Sequence, residues 1–372
     1  MIVSSFSGNE MFCLAEKGWK PHSIVVGNSV QSLGFFGGIS SSLRTIAGGE
    51  IANLTELITE GRHAAIQRLE KEALAHRTHG VTGVTSELKQ ISGMHEFLAI
   101  GSAITGANYD GPFFTTACSG QDLWCQLDAG YEPKHFVIGN VAYALGVSRS
   151  IFGFFRGVAG GEVKQYSDMY NETRHLALVR LEKEAKACGA NAVVDIHTHI
   201  IPLGVGSREM LMVGTASHHP AFGDPERPVT SELTGEELWN LTRMGYAPLR
   251  LLLGVSGFSL GLSGGIGAFF RKMARGEVST VTQLIYDARE NCLEHIYGEA
   301  KAIDADAVIG VKVFVYEIGS SYVEVMAIGT AIKKMPGMKT ASNTLIPQAI
   351  IRDRDTFFDE AHQASERKLE RT

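Results

Sequence analysis

The chain has 372 residues, of which 44% are hydrophobic and 20% charged, a composition typical of a globular protein with two or three domains. Its net charge of -6 argues against a general nucleic-acid binder, because such a protein needs a basic surface that attracts phosphates. Five cysteines at irregular spacing do not predict a disulfide framework. The sequence shows no secretion signal and no apolar membrane-spanning stretch, so we expect a cytoplasmic protein.

One unit of sequence occurs three times, and each copy opens with the same helix signal. A Ser or Thr is followed three residues later by an acid, which is the capping box that starts a helix. The openings are Ser7-Gly-Asn-Glu10, Ser119-Gly-Gln-Asp122 and Thr234-Gly-Glu-Glu237. Gly and Pro then predict the end of a short helix in each unit. Such repetition indicates a tandem array of one supersecondary unit.

An apolar strand is predicted to follow in each unit and to end at a glycine. The strands are Ser23–Val26, His135–Ile138 and Leu249–Leu253, and the glycines are Gly27, Gly139 and Gly254. The next stretch is rich in Gly, Ser and Phe, and we interpret it as a glycine-rich turn with a short apolar helix. Its phenylalanines could touch a membrane surface, but packing in a core or a subunit interface is the favoured interpretation.

A long amphipathic helix and two strands complete each unit. Apolar residues recur at helical spacing from about Ile51 to Arg77 and in the same columns of the other two units. The strands are clearest in the third unit, at Ala307–Ile318 and Tyr322–Ile332. Both faces of the last strand are largely apolar. We therefore expect a sheet covered by its own helix on one side and by another repeat or subunit on the other.

These elements predict an α+β fold of three tandem units, each with an antiparallel sheet, a long amphipathic helix and a short capped N-terminal helix. We place the units at residues 1–105, 118–217 and 231–333. Polar linkers containing Pro and Gly separate them. Residues 334–372 have no counterpart in the repeats and are predicted to form a charged C-terminal tail.

The units resemble the YbjQ family of small bacterial proteins, which carries the label heavy-metal-binding. The resemblance lies in Ala187-Cys-Gly-Ala-Asn-Ala-Val-Val194 and Met210–Ala216 of the second unit, and in Ile303–Gly310 and Val325–Ala331 of the third. It implies a dodecin-like subunit, in which an antiparallel sheet wraps around a long helix, and assembly into homo-oligomeric rings, often pentamers. It also implies a divalent metal ion as a candidate cofactor.

His197 and His199 are the best candidates for ligands of such a metal ion. Two histidines separated by one residue on a strand project their imidazoles from the same face. Neither histidine recurs in the other two units, so a site here would be confined to the second unit. No Cys-x-x-Cys pair supports a structural zinc site elsewhere in the sequence. The alternative is that both are exposed or hydrogen-bonded histidines that bind no metal.

Five columns of ionisable residues recur in all three units. They are Arg44/Arg156/Arg271, Glu50/Glu162/Glu277, Arg62/Arg174/Arg289, Glu72/Glu184/Glu299 and Glu96/Glu209/Glu324. We interpret them as ion pairs between elements or between repeats that fix register, with a repeated ligand site as the alternative. Glu96 and its equivalents stand out because they interrupt an apolar strand, where an unpaired charge would be costly. No Ser, Cys or His recurs that could act as a nucleophile or a near-neutral base.

The sequence therefore favours a non-enzymatic, ring-forming homo-oligomer that serves as a scaffold or binds a small ligand. A heavy-metal-binding or metal-homeostasis protein is the first alternative. The second is an enzyme whose site is confined to the second unit and uses His197, His199 and Glu209. Neither a nucleic-acid partner nor a membrane-spanning segment is expected.

Overall fold

The structure is a computed structural model, and it describes residues 3–31, 49–92, 94–144, 161–162, 164–204, 207–224, 226–259, 279–318 and 322–345. The glycine-rich turns and short apolar helices expected after the first strand of each unit lie outside these ranges. So does the tail beyond residue 345. Four of the recurring charged residues also lie outside, namely Arg44, Arg156, Arg271 and Glu277.

Six α-helices form within the described residues, a short one and a long one in each repeat. They are α1 (Gly8–Glu16), α2 (Ala52–Ala75), α3 (Gly120–Asp128), α4 (Lys164–Ala187), α5 (Gly235–Arg243) and α6 (Ser279–Ala302). The short helices start at the capping residues, because the hydroxyls of Ser7, Ser119 and Thr234 accept hydrogen bonds from the third helical N–H. No helix in the described ranges is long and apolar enough to cross a membrane.

Three sheets contain the strands. The strands are β1 (Trp19–Gln31), β2 (Gly49–Glu50), β3 (Gly80–Ile91), β4 (Met94–Gly106), β5 (Phe114–Thr115), β6 (Glu132–Ala144), β7 (Gly161–Glu162), β8 (Ala192–Gly204), β9 (Ser207–His218), β10 (Val229–Thr230), β11 (Tyr246–Ser259), β12 (Ala307–Ile318) and β13 (Tyr322–Lys334). Their order is β1-β4-β3-β5, β10-β8-β9-β6-β2 and β12-β13-β11-β7. The three long strands of each sheet pair antiparallel, so the prediction of an α+β fold with three repeats is confirmed.

Short strands connect each repeat to the next. β2 belongs to the first repeat but pairs with β6 of the second, and β7 of the second repeat pairs with β11 of the third. β5 and β10 lie in segments that the sequence assigns to linkers, and they pair in parallel with β3 and β8. A strand of two residues carries no alternating pattern, so sequence periodicity does not reveal it.

The first long strand of each repeat continues past the glycine at which it was predicted to end, so that prediction was wrong. A Cβ on Gly27 would lie 1.9 Å from the carbonyl oxygen of Ala65, and one on Gly139 would lie 2.0 Å from that of Ala177. The glycine therefore lets the backbone of the long helix pack directly on the backbone of the strand. It marks a close contact within the strand and not the end of the strand.

Sheets and long helices alternate along the chain. α2 packs on the first sheet with one side and on the second sheet with the other, through buried residues such as Leu54 and Ile58. α4 lies in the same way between the second and third sheets, through Leu178 and Leu181. Among the described residues α6 packs on the third sheet alone. Two faces therefore remain at the ends of this stack, one on the first sheet and one on α6.

Candidate functional site at the repeat junctions

Arg62 and Glu209 join the first repeat to the second. Arg62 lies on α2 and Glu209 on β9, and both side chains are fully buried. Arg62 Nε donates to Glu209 Oε1 at 3.0 Å and Nη2 to Oε2 at 2.7 Å, while Nη1 donates to the hydroxyl and the carbonyl oxygen of Ser86. Asn140 adds a hydrogen bond to Glu209 Oε1 at 3.2 Å. Every guanidinium nitrogen has a partner, which offsets the cost of burying the charge.

Arg174 and Glu324 form the equivalent junction between the second and third repeats, with fewer hydrogen bonds. Arg174 Nη2 donates to Glu324 Oε1 at 2.7 Å and to the Tyr143 hydroxyl at 2.9 Å. Burial acts to lower the pKa of the guanidinium, but the charge of Glu324 raises it above its ordinary value. Among the described residues, none forms a hydrogen bond with the buried atoms Arg174 Nε, Arg174 Nη1 and Glu324 Oε2. The second junction is thus less completely satisfied than the first.

A histidine–carboxylate contact also crosses each junction. His63 Nε2 lies 2.6 Å from Glu184 Oε1, and His175 Nε2 lies 3.1 Å from Glu299 Oε1. The hydrogen bond to the carboxylate raises the pKa of each imidazole above its ordinary value. Each histidine belongs to the repeat that precedes the repeat of its partner. These contacts therefore join successive repeats at the surface, above the buried Arg–Glu pairs.

Three other recurring carboxylates lie near the strands. Glu50 accepts a hydrogen bond from Arg180 Nη2 at 2.7 Å, which again joins the first repeat to the second. Glu72 accepts a hydrogen bond from the N–H of Val26 at 2.6 Å within the first repeat. Glu162 lies on β7, and its side chain is outside the part that the structure describes.

Arg289 of the third repeat is equivalent to the two buried arginines, and Glu96 of the first repeat is equivalent to the two buried glutamates. They lie at the two ends of the stack. Arg289 is exposed on α6, and Glu96 is partly exposed on β4, where it accepts a hydrogen bond from Asn28 at 3.2 Å. We name the surfaces around them by their apolar and aromatic residues. The open sheet face consists of Ile24, Val26, Val30, Leu98 and Ile100, and the open helix face consists of Tyr286, Arg289, Leu293 and Tyr297.

His197 and His199 are both exposed on β8, but their environments differ. His197 Nε2 lies 3.1 Å from Asp195 Oδ1, and this carboxylate raises the pKa of His197. Although part of the His199 side chain is exposed, the protein around its imidazole and the positive charges of His197 and Arg62 lower its pKa to about 4. A metal ligand must be a neutral imidazole, a state that His199 has at neutral pH and that Asp195 disfavours for His197.

The described residues give this histidine pair no further ligand. Nowhere in the described ranges do three or more His, Cys, Asp or Glu side chains come together in a group that could hold a metal ion. A closed zinc site needs four ligands, so His197 and His199 do not fit one by themselves. The carboxylate of Glu209, named with them as an enzymatic alternative, is fully buried and bonded to Arg62.

Asp195 is a residue of the second repeat that sequence reasoning missed. It stands at the strand bulge that Gly83 and Gly310 occupy in the other repeats, and like them it has a positive φ, 54° against 66° and 65°. Its buried carboxylate lies 3.1 Å from His197 Nε2, and its negative charge adds to the rise in the pKa of the Cys118 thiol. Burial raises the pKa of Cys118 well above its ordinary value, so the thiol is a poor nucleophile. The signal in the sequence was an acid in a column of glycines.

Comparison with known proteins matches the repeats to a family. The family model for YbjQ, described as "Putative heavy-metal-binding", matches residues 16–107, 130–219 and 249–335. The chain belongs to the YbjQ family. Each YbjQ match covers the long strands and the long helix of one repeat, whereas the short helices α1, α3 and α5 lie almost entirely outside.

Relatives of this YbjQ chain differ in how much of it they cover. A Mycobacterium tuberculosis protein named "Encapsulin nanocompartment protein Rv1762c" is 30% identical over 240 residues, which is 61% of this chain and 89% of that protein. The UPF0145 protein of Thermotoga maritima is 39% identical over 90 residues, 23% of this chain and 85% of that protein. A UPF0145 protein of Pyrococcus furiosus is 39% identical over 85 residues, or 23% of this chain and 75% of that protein. No solved structure matches the chain.

Proposed function

We propose that the chain is a self-assembling scaffold that forms a homo-oligomeric ring. The exposure of the open sheet face is the observation that carries this proposal. Ile24, Val26 and Val30 are 39%, 43% and 51% exposed. The side chains at the equivalent positions of the second sheet are at most 2% exposed, because α2 covers them. A face that is buried in one repeat and bare in another is typical of an interface.

The two ends of the stack are different surfaces, and this determines the kind of assembly. A sheet face at one end and a helix face at the other make a heterologous contact, in which each copy presents a different surface to its two neighbours. Such contacts close into a ring when the rotation from copy to copy allows it, and otherwise extend into a filament. Whole chains contribute three repeats each, so we propose a ring whose number of repeats is a multiple of three.

We further propose that each repeat is a dodecin-like unit, with the sheet wrapped around its long helix, at residues 1–105, 118–217 and 231–333. The three YbjQ matches and the packing of each long helix on its own sheet support this proposal. The name of the Mycobacterium tuberculosis relative connects that protein with an encapsulin nanocompartment. By extension we propose that this chain too acts within a protein assembly, in the cytoplasm as its sequence predicts.

Native mass spectrometry and negative-stain electron microscopy of the untagged full-length protein test the scaffold. We expect one discrete species with an integral number of chains that appears as a closed ring. Single chains at every concentration would contradict self-assembly. A mass that grows continuously with concentration would replace the ring with an open filament.

Metal binding is the second candidate function. The description of the YbjQ family and the neutral imidazole expected for His199 favour it. Metal analysis of protein purified without a histidine tag tests it, with a variant in which His197 and His199 are both replaced by Ala. Stoichiometric zinc, copper or nickel that this variant loses would establish the site. Trace metal in the wild type, or stoichiometric metal retained by the variant, would contradict it.

A further inference from the structure

We infer that the third repeat of one copy docks on the first repeat of a second copy, in the arrangement that joins successive repeats within the chain. Arg289 of one copy then forms an ion pair with Glu96 of the other. This inference rests on the proposed self-assembly and specifies the surfaces and residues through which it occurs.

The two internal junctions define the arrangement. In both, the long helix of one repeat lies on the sheet of the next, and an arginine of the helix bonds to a glutamate of the sheet. These pairs are Arg62–Glu209 and Arg174–Glu324, each with an N–O distance of 2.7 Å. Arg289 and Glu96 belong to the same two columns, have opposite charges and are both accessible. A second copy placed one repeat further along brings them together.

The Glu96 carboxylate accepts the same asparagine hydrogen bond as the carboxylate of Glu209, its equivalent in the second repeat. Asn28 Nδ2 donates to Glu96 Oε1 at 3.2 Å, and Asn140 Nδ2 donates to Glu209 Oε1 at the same distance. The carboxylate on β4 thus keeps the orientation in which Glu209 receives an arginine. Preorganised acceptors of this kind lower the cost of forming a buried pair.

The apolar residues around the ion pair match as well. Leu293 on the open helix face is 38% exposed, whereas its equivalents Ile66 and Leu178, which lie on the next sheet, are 4% and 2% exposed. The open sheet face supplies the missing apolar surface. Tyr286 and Tyr297 flank Leu293 and are more than half exposed. Aromatic side chains of this kind are enriched in protein interfaces.

The short helices give a second, independent match. α1 packs on α3 and α3 packs on α5, with Lys17 Nζ 4.8 Å from the centre of the Trp124 ring. In the third repeat Met244 takes the position of Lys17, and in the first repeat Phe12 takes the position of Trp124. Met244 and Phe12 are 62% and 50% exposed. Placing the second copy one repeat further along pairs Arg289 with Glu96, and the same placement brings Met244 and Phe12 together.

The same placement also continues a hydrogen bond that links the N-termini of successive short helices. In each internal junction, the capping acid of one short helix accepts a hydrogen bond from the first N–H of the next. The pairs are Glu10–Gly120 at 3.1 Å and Asp122–Gly235 at 3.0 Å. Glu237 is the third acid of this column, and Gly8 supplies the first N–H of α1. Between copies, Glu237 is therefore placed to accept from Gly8 of the neighbour.

One column distinguishes the junction between copies from the internal junctions. Where the internal junctions have His63 and His175, the third repeat has Glu290, which faces Glu72 of the second copy. Two carboxylates in this position repel each other, so copies associate less tightly than repeats do. Glu290→His restores the internal arrangement and is expected to tighten association between copies by several-fold.

A second copy, placed one repeat further along, accounts for the contacts at the long helix and for those at the short helices. It supplies an ion pair, an apolar contact and a helix cap at a single offset. Residues 346–372, a segment of the chain that could also cover one of these faces, have no counterpart in the repeats and hence no such register. A chain that is cut after Leu345 should therefore assemble as the full chain does.

Charge reversal with complementary mixing tests the junction. Arg289→Glu alone places a glutamate against Glu96, and Glu96→Arg alone places an arginine against Arg289. Each variant alone should associate on the order of 100-fold more weakly than the wild type, because like charges meet at a partly desolvated contact. An equimolar mixture should recover association between copies, and it should close into rings with an even number of chains. In the mixture the two introduced side chains pair at one junction, and the native Arg289 and Glu96 pair at the next. Light scattering measures the mass in each sample.

Lys301→Glu is the matched control, because it makes the same charge change on α6 at a position that is exposed in all three repeats. It should leave the mass unchanged.

If the wild type assembles and both charge-reversal variants assemble equally well, the inferred junction is wrong while the scaffold stands. Single variants that are impaired but do not recover on mixing would also contradict the junction. A wild type that stays a single chain would overturn the scaffold itself. Circular dichroism checks that each variant is folded, and Glu290→His tests the interface by a gain of affinity.

Discussion

The guanidinium of Arg62 and the carboxylate of Glu209 share two hydrogen bonds, of 3.0 and 2.7 Å, across the boundary between the first and second repeats. Both side chains are fully buried, so neither charge can be left alone without a large cost. The pair thereby requires one register between the long helix of a repeat and the sheet of the next. The same requirement recurs between Arg174 and Glu324.

Glu209→Leu is expected to destabilise the chain strongly, because it leaves the Arg62 guanidinium buried and without its carboxylate. Breaking such a pair costs about 3–5 kcal/mol, which should appear as a large fall in melting temperature measured by calorimetry. Glu87→Leu, at an exposed position of the first repeat, is the control. The combined variant Arg62→Met with Glu209→Leu should regain most of the lost stability. A double variant no more stable than Glu209→Leu would contradict this explanation.

Gly139→Ala is expected to destabilise the second repeat by about 1–3 kcal/mol, since an added Cβ would lie 2.0 Å from the carbonyl oxygen of Ala177. The helix and the strand must then move apart. Gly298→Ala is the control, because a Cβ at Gly298 has nothing within 4 Å. Melting temperatures compare the two variants. Equal values would show that the close contact between α4 and β6 is not required.

The histidine contacts predict a dependence of stability on pH. The carboxylates of Glu184 and Glu299 raise the pKa of His63 and His175 above 6.5. Their contribution is therefore complete below pH 6.5 and is lost as the pH rises through the raised pKa of the folded protein. As the pH rises through this range, the melting temperature of a variant with both histidines replaced by Gln should fall less than that of the wild type. His76→Gln, at an exposed position, is the control. Identical pH profiles for the wild type and the double variant would contradict this prediction.

Asp195→Gly is expected to return the pKa of His197 toward its ordinary value, because the carboxylate 3.1 Å from Nε2 is what raises it. The substitution restores the glycine present at Gly83 and Gly310, so the positive φ at this bulge is retained without strain. NMR titration of the His197 imidazole measures the effect, and the His218 signal provides a reference. An unchanged pKa at His197 would show that Asp195 does not set it.

Comparison of the three units predicted much of this fold. The capping boxes marked the starts of the short helices, and the glutamates that interrupt an apolar strand pointed to buried charges. The sequence did not reveal that Arg62 and Arg174 reach the sheet of the following repeat. That partnership depends on how a helix lies between two sheets, which helical periodicity does not encode.

Other errors have equally local causes. Gly27 and its equivalents were interpreted as strand ends, because a glycine that ends a strand and one that admits a helix backbone look the same in sequence. The choice of His197 and His199 as candidate metal ligands rests on residue type and stays a prediction. Asp195, whose carboxylate raises the pKa of His197, was overlooked although glycine occupies its position in the other two repeats.

The molar mass of the Arg289→Glu variant beside that of the wild type is the most direct test of assembly through the terminal repeats. Both full-length proteins are measured by sedimentation equilibrium at the same concentrations. We predict a multiple of the single-chain mass for the wild type and a mass close to one chain for the variant. A wild type that remains a single chain, or a variant with the same mass as an assembled wild type, would contradict the junction between Arg289 and Glu96.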